Sequence, residues 1–384
     1  MSINNKSLAL HRKLRGKIEI RAKISLTKNN LPLTYTPGVA AVCKVIAENR
    51  DRAYKYTIKN NTVAVITDGS AVLGLGNIGP EAAAPVMEGK CAIFKKIANI
   101  DAFPICIKTQ NSSEIIRIIK NISSIFGGIN LEDISAPRCF EIEKKLSRKL
   151  DIPVFHDDQY GTAIIVAAGL INALKVVNKR LSKIKVTISG AGAAGYAITK
   201  LIHQMGVSNI TALDSKGIIS HKRDYLYPHK KELLKILAKE PSRGGIKEAL
   251  KGADVFIGVS KGNLLKKDDV MLMNKKAIIF ALANPQPEIL PAAAKTGGAA
   301  VVATGRSDFP NQLNNALVFP GFFRGLLNAK ITKINNKMRL AAARALASLI
   351  KKPSPKNIIP YIFDKRVVPA VANAVTKFKI QSEK

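Results

Sequence analysis

The stretch that most constrains this chain is KIKVTISGAGAAGYAITKLIHQMGVSNITALDSKG, residues 183–217. A β-branched run ends in G-x-G-x-x-G at Gly190, Gly192 and Gly195; a helical pattern follows, and a second β-branched run closes on Asp214. Each part has a task in a dinucleotide-binding βαβ unit. The first glycine makes the turn, the second lets a pyrophosphate approach the backbone, and the third lets the helix pack on the strand. The unpaired N–H groups at Ala193, Ala194 and Gly195 would then face the phosphates from the helix N-terminus. Asp214, 19 residues beyond Gly195, stands where a carboxylate accepts ribose hydroxyls.

A second match, VLGLGNIGPEA at residues 72–82, carries Gly74, Gly76 and Gly79. It fails the same contextual test. The preceding strand pattern ends at Asp68-Gly69, several residues too early, and no strand-terminal acid follows at the required distance. Pro80 suits a first helical position. This stretch reads as a glycine-rich loop able to wall a small substrate pocket.

Short β-branched runs alternate with helical stretches along the chain, which predicts an α/β fold. NNTVAVITDG reads as a buried strand, and PEAAAPVMEGKCAIFKKIANI as a helix interrupted at Pro85. SSEIIRIIKNISSIF reads as a helix with a serine suited to capping it. GGINLEDISAP is a strand plus loop, and IPVFHDD a strand. The expected organisation is a first α/β domain over residues 1–161, a Rossmann-type domain over 162–310 and a helical segment over 311–384.

Composition excludes several classes. At 384 residues the chain can bury two cores. The four cysteines, Cys43, Cys91, Cys106 and Cys139, form neither a zinc spacing nor a disulfide framework, so a reducing compartment is expected. The basic N-terminus lacks the apolar region of a secretory signal. The longest apolar run, AIIVAAGLINAL, is too short to span a bilayer. The net charge of +34 raises nucleic acid as a partner, but the lysines are dispersed and there is no tryptophan. Steering of small anions is the consequence that remains.

In a chain short of acids, Glu132-Asp133 and Asp157-Asp158 stand out at predicted strand ends, where α/β sheets bind ligands. Such carboxylates suit a hard divalent ion, Mg²⁺ or Mn²⁺. They equally suit exposed loop acids or helix caps, and the sequence leaves both open. His156 beside them reads as a structural hydrogen-bonding residue. Lys90 lies among apolar neighbours, where burial would lower its pKa towards base duty; an ordinary solvated lysine is the plainer reading.

These motifs, with LTYTPGVA, AVLGLGNIGPEAAAPVMEGK, GGINLEDISAPRCFEIE, IPVFHDDQYGTAI, IFALANPQPEI, ATGRSDFPNQLNN and FDKRVVPAVANAV, occur in one order over nearly the whole chain. The sequence resembles the malic enzymes, in their short bacterial and archaeal form. The N-terminal LHRKLRGKIEI shares the resemblance, which speaks against a transit peptide.

The resemblance implies an α/β substrate and metal domain, a Rossmann-type NAD(P) domain, and C-terminal helices packing back on the first. It implies oxidative decarboxylation of (S)-malate to pyruvate and CO₂ with reduction of NAD⁺ or NADP⁺. Lys90 takes the position of the catalytic lysine that removes the hydroxyl proton, and Tyr35 that of the tyrosine that protonates C3 of the enol. Glu132, Asp133 and Asp158 fall on metal-ligand positions. Asn284 and Asn315 fall on asparagines that contact substrate and nicotinamide, and Thr162 joins the cofactor-binding set. A cytoplasmic homodimer is the family expectation.

Two departures are visible. Tyr160 stands where most short-form members carry histidine, and Ser70-Ala71 stand where animal enzymes place an arginine, so another group must hold that malate carboxylate. Asp214 favours NAD⁺ because it repels a 2′-phosphate, although Lys216 could compensate. The neighbouring alternative is malolactic conversion to lactate; the alternative from another class is a non-catalytic polyanion-binding Rossmann protein.

Overall fold

A computed structural model describes residues 3–382 of the chain. The N-terminal segment carries helices α1 (Ile3–Leu14) and α2 (Val39–Glu48), and none of residues 3–61 is buried. The chain then enters a parallel sheet of β1 (Thr62–Thr67), β2 (Asp101–Cys106), β3 (Gly128–Leu131) and β4 (Val154–His156), in the order β2-β1-β3-β4. Every residue of β1, TVAVIT, is buried. That is expected of a parallel strand covered on both faces.

Helices α3 (Pro80–Ala98), α4 (Ser112–Ile122) and α5 (Arg138–Lys149) supply those covers. Two expectations need correction here. Helix α3 runs through Pro85 without interruption; a proline removes one backbone bond, and tertiary packing holds the rest. The cap of α4 is Asn111, whose side chain accepts from the N–H groups of Ser113 and Glu114, not a serine.

Helix α6 (Asp157–Val177) follows β4 directly. The expected boundary between residues 161 and 162 therefore falls inside one continuous helix. Within it, the apolar run noted above becomes part of a segment long and apolar enough to cross a bilayer, yet most of that segment is buried in the core. A helix apolar on every side must be covered on every side, and the two sheets and the C-terminal helices cover it.

The second sheet has the order β10-β9-β8-β5-β6-β7. Its strands are β5 (Lys185–Ser189), β6 (Asn209–Asp214), β7 (Gly217–Ile218), β8 (Val255–Gly258), β9 (Ala277–Ala281) and β10 (Ala299–Thr304), parallel except for β7. Helix α7 (Ala193–Gln204) crosses from β5 to β6. The order reverses between β5 and β8, which opens a crevice at their C-terminal ends.

Helices α8 (Phe319–Ala329), α9 (Asn336–Ser348) and α10 (Val367–Ser382) complete the chain. They return to the first domain: Phe319 and Phe323 of α8 meet Phe94 of α3 at ring distances of 4.7 and 5.4 Å, and Phe322 meets Phe155 of β4 at 5.0 Å. Asn172 of α6 donates to the carbonyls of Ala347 and Ile358, pinning the helical segment.

Candidate active site

The C-terminal ends of both sheets face one cleft. A cavity of about 310 Å³ there is lined by Lys90, Glu132, Asp133, Asp158, Asn284 and Asn315, with Thr162 and Ala194 in the same wall. A second, of about 630 Å³, runs past Gly190, Gly192 and Asp214. Ser260 belongs to both walls, so the two are parts of a single cleft.

The glycine turn has the geometry its motif requires. Gly190 has φ +108°, and a Cβ at Gly195 would lie 1.7 Å from the Gly190 carbonyl oxygen. At Gly192 a Cβ would meet nothing within 4 Å. One glycine turns the chain, one packs the helix, and the middle one leaves open space before the N–H groups that begin α7.

Asp214 is not free to act as a bare carboxylate. Arg223 Nη1 lies 2.9 Å from both its oxygens and Lys230 Nζ 2.7 Å from Oδ2, while the Lys216 backbone N–H donates to Oδ1 at 2.8 Å. Burial pushes the Asp214 carboxyl up, but these donors outweigh it and hold it below the usual carboxylate range. The cations paired with this carboxylate are Arg223 and Lys230, and Lys216 donates its backbone N–H to it.

Lys90 is buried in α3, its Nζ 2.8 Å from Glu132 Oε1, hydrogen-bonded to Asp157 Oδ2, and 4.6 Å from the centre of the Phe319 ring. Burial alone pulls its pKa down, as the sequence suggests. Asp157, Glu132 and Asp158 together outweigh that, and the net direction is upwards. The charged form is favoured because the buried ammonium is paired on two sides. Gly161, one turn along α6, provides the space: a Cβ there would lie 1.8 Å from Asp157 Oδ1.

Glu132, Asp133 and Asp158 each offer an oxygen within 4.8 Å of the others. Asp133 has φ +53°, which turns its backbone N–H onto Asp158 Oδ2 at 2.8 Å. Burial, and then the Asp158 charge, push the Asp133 carboxyl up to about 8, and burial pushes Glu132 well up. Asp158 goes the other way: burial raises it, but His156 and Lys90 outweigh that. Gln159 Nε2 lies 2.9 Å from His156 Nδ1, leaving Nε2 towards Asp158 at 3.3 Å. Asp133 Oδ2 is buried with no hydrogen-bond partner. Crowded carboxylates, all oxygen donors, with one orphaned buried oxygen, fit a hard divalent ion.

The structure does not bring Tyr35 to this group. It is 68% exposed and lies outside the cavity wall. The glycine-rich loop walls the pocket as its sequence suggests, and Asn314 and Glu288 are residues that the sequence reading passed over. Gly74, from the rejected glycine motif, lines the cavity, and a Cβ there would sit 2.0 Å from the Asn284 carbonyl oxygen. Asn314 lines it too. Glu288, fully buried, accepts from the N–H groups of Ser260 and Ala283, both at 3.0 Å, and so fixes the cofactor side of the cleft. A lone glutamate in ANPQPEI gives no sign of that role.

Known proteins share this architecture. Residues 15–117 match the malic enzyme N-terminal domain and residues 159–380 the malic enzyme NAD-binding domain. The chain is 51% identical over 386 residues to the bifunctional malic/malolactic enzyme of Bacillus subtilis, covering 100% of this chain and 94% of that one. It is 51% identical over 380 residues to the NAD-dependent malic enzyme of Geobacillus stearothermophilus, covering 98% and 79%. The crystal structure of NAD-dependent malic enzyme from Thermotoga maritima superposes with a TM-score of 0.93 at 49% identity, covering 96% of this chain and 98% of that one. Sequence, sheet order and cleft agree: the chain belongs to the malic enzyme family.

Proposed function

We propose that this protein oxidatively decarboxylates (S)-malate to pyruvate and CO₂ while reducing NAD⁺ or NADP⁺. The observation that carries the reading is a single cavity in which a buried lysine, three carboxylates and three asparagines meet, open to a dinucleotide turn. A Mg²⁺ or Mn²⁺ ion held by Glu132, Asp133 and Asp158 would polarise the substrate oxygens, and a dinucleotide on the 190–195 turn would accept the hydride. Lys90 passes its ammonium proton to Asp157, which is hydrogen-bonded to the same Nζ, and the neutral amine then removes the proton of the C2 hydroxyl. Asn284 and Asn315 orient the substrate and, lacking an arginine in the wall, supply amide donors to its carboxylate.

Tyr35 would deliver the proton to C3, and within one chain it is too far out to do so. Ile3, Leu8, Leu26, Leu33 and Tyr56 share its exposed segment. An apolar face of this kind marks an interaction surface. A homodimer would cover it and let a second copy's tyrosine reach a neighbouring cavity of about 390 Å³ that Lys90 also lines. NAD⁺ is the preferred cofactor because of Asp214, with NADP⁺ accepted through Arg223 and Lys230. A cytoplasmic location is consistent with four free cysteines.

The test supplies purified protein with malate, Mn²⁺ and each dinucleotide. Reduced cofactor and pyruvate forming in equal amounts is the expected result. Lactate without net reduced cofactor would replace this reading with the malolactic one, which the bifunctional Bacillus subtilis relative keeps in view. No turnover of malate at all would defeat both.

A further inference from the structure

One buried side chain grips the dinucleotide turn from outside the βαβ unit. His229 stands 38 positions from Ala191, is 8% exposed, and lines the cleft beside Gly190 and Gly192. Its Nε2 lies 3.2 Å from the Ala191 carbonyl oxygen. A carbonyl can only accept, so Nε2 carries the proton. Among the described residues the buried Nδ1 has no hydrogen-bond partner, and a second proton there would be left unpaired. Burial pulls the imidazole's pKa down against the opposing pull of the Ala191 bond. The ring is therefore neutral, with its single donor aimed at the turn.

That bond acts through the peptide plane. The Ala191 C=O and the Gly192 N–H belong to one trans peptide, which points them in opposite directions. A donor that fixes the carbonyl on one side therefore aims the N–H on the other. Among the described residues no acceptor meets the Gly192 N–H, and the space before it is open, because a Cβ at Gly192 would have no atom within 4 Å.

Packing holds the imidazole in this orientation. Tyr227 stacks on it at 6.0 Å and 18°, and Phe140 of α5 rests against it at 4.7 Å. Pro228 opens a short helical turn, Pro228–Leu233, in which the residue after His229, Lys230, reaches Asp214 at 2.7 Å. Two consecutive residues thus reach the turn that would face the pyrophosphate and the acid that would face the ribose. Phe140 belongs to the first domain, so the setting of the turn depends in part on the substrate side of the cleft.

We infer that His229 is a positioning residue for the cofactor: its Nε2–H holds the Ala191 carbonyl so that the Gly192 N–H faces the pyrophosphate of a bound dinucleotide. It touches the turn and not the reacting atoms. The inference rests on the dinucleotide reading of the cleft, and its binding test needs no malate.

Two exchanges separate the donor from the packing. His229→Phe keeps a ring against Tyr227 and Phe140 but has no donor; His229→Gln gives up the ring and keeps an N–H at similar reach. Binding of NADH and NADPH is measured by calorimetry without malate, and cofactor KM and kcat with malate and Mn²⁺. The Phe variant should bind the tighter of the two about tenfold more weakly, the lower end of what one hydrogen bond to a charged group is worth. Its cofactor KM should rise to match, while kcat at saturating cofactor and the malate KM hold, as expected when only cofactor binding is lost. The Gln variant should recover most of the affinity. A Phe variant that binds like the parent, or a Gln variant as weak as the Phe one, assigns His229 to packing and overturns the proposal. If the Phe variant does not fold, the parent still decides. Proton–nitrogen NMR spectra, assigned through His229→Gln, must show His229 as the neutral Nε2–H tautomer; an Nδ1–H tautomer or a charged ring overturns the proposal. Dinucleotide binding by the parent without malate turnover would count against the function proposed above and leave this inference intact. No binding of either dinucleotide overturns it.

Discussion

Adding a single methyl group to each glycine motif in turn separates their roles. At Gly192 a Cβ meets no protein atom within 4 Å, so Gly192→Ala should fold like the parent. Its methyl would occupy the space through which a pyrophosphate approaches the N–H groups of α7. Losing one such charge-assisted contact costs about 1.5–3 kcal/mol, or roughly one to two orders of magnitude in cofactor KM. At Gly195 the methyl would lie 1.7 Å from the Gly190 oxygen, so strand and helix must part. Overpacking of that kind costs about 1–3 kcal/mol or more, which lowers the Rossmann domain's melting temperature by roughly 2–4 °C per kcal/mol. Gly74→Ala meets the Asn284 carbonyl oxygen at 2.0 Å and should damage malate kinetics more than cofactor KM. Thermal unfolding with KM measured for cofactor and malate separates the three. The reasoning is refuted if Gly192→Ala keeps the parent's cofactor KM, or if Gly74→Ala raises it as much as Gly192→Ala does.

Other outcomes follow from the same geometry. Asp214→Ser frees Arg223 and Lys230 for a 2′-phosphate and should raise the ratio of kcat/KM for NADP⁺ over NAD⁺ by about tenfold or more. Mn²⁺ at about a hundred times its Kd should stabilise the parent by about 2.7 kcal/mol. That gain, read as a melting shift, should vanish in Asp158→Asn. Asp254 accepts from Lys179, the Lys185 backbone and Asn274 at 2.7, 2.8 and 3.0 Å. Although burial pushes its carboxyl up, those donors hold it below its ordinary value of 3.8. Its folded pKa is thus below the unfolded one, so its stabilisation is present above the unfolded value and is lost as pH falls through the folded value. Asp254→Asn should be less stable than the parent at neutral pH by about 1.5–3 kcal/mol, the worth of hydrogen bonds to a charged group. In denaturant titrations that gap should close on acidification below the ordinary carboxylate range.

How far each feature was legible depended on how far its cause extends along the chain. The βαβ unit at 183–217 could be read at once, because its strand, turn, helix and terminal acid are consecutive. The acids were visible, but their purpose was not. Glu132-Asp133 and Asp158 converge only because β3 pairs with β4, and α6 starts where β4 ends. A loop-acid reading and a metal reading look alike until that pairing is known. The cap of α4 was misassigned by a residue or two, because serine and asparagine offer the same short oxygen.

One electrostatic expectation is reversed, and one pairing is supplied, by residues distant in the chain. Lys90's apolar neighbours in sequence point to a lowered pKa; its neighbour in space, Asp157, is 67 positions away and reverses the sign. Lys216 is two positions from Asp214 in sequence, yet the side chains of Arg223 and Lys230 pair with the carboxylate. Coulombic interactions fall with spatial distance, not with separation along the chain.

The sequence by itself determined the two α/β units, the dinucleotide turn and the list of candidate residues, because strand period, helix period and glycine placement are local properties of the backbone. The tertiary structure alone decided that Glu132, Asp133, Asp158 and Lys90 share one cavity, and that the rejected glycine loop packs against Asn284. It alone left Tyr35 on an apolar face and set His229 against the dinucleotide turn. Those are contacts between segments far apart in the chain, set by sheet order and helix packing, and no local pattern records them.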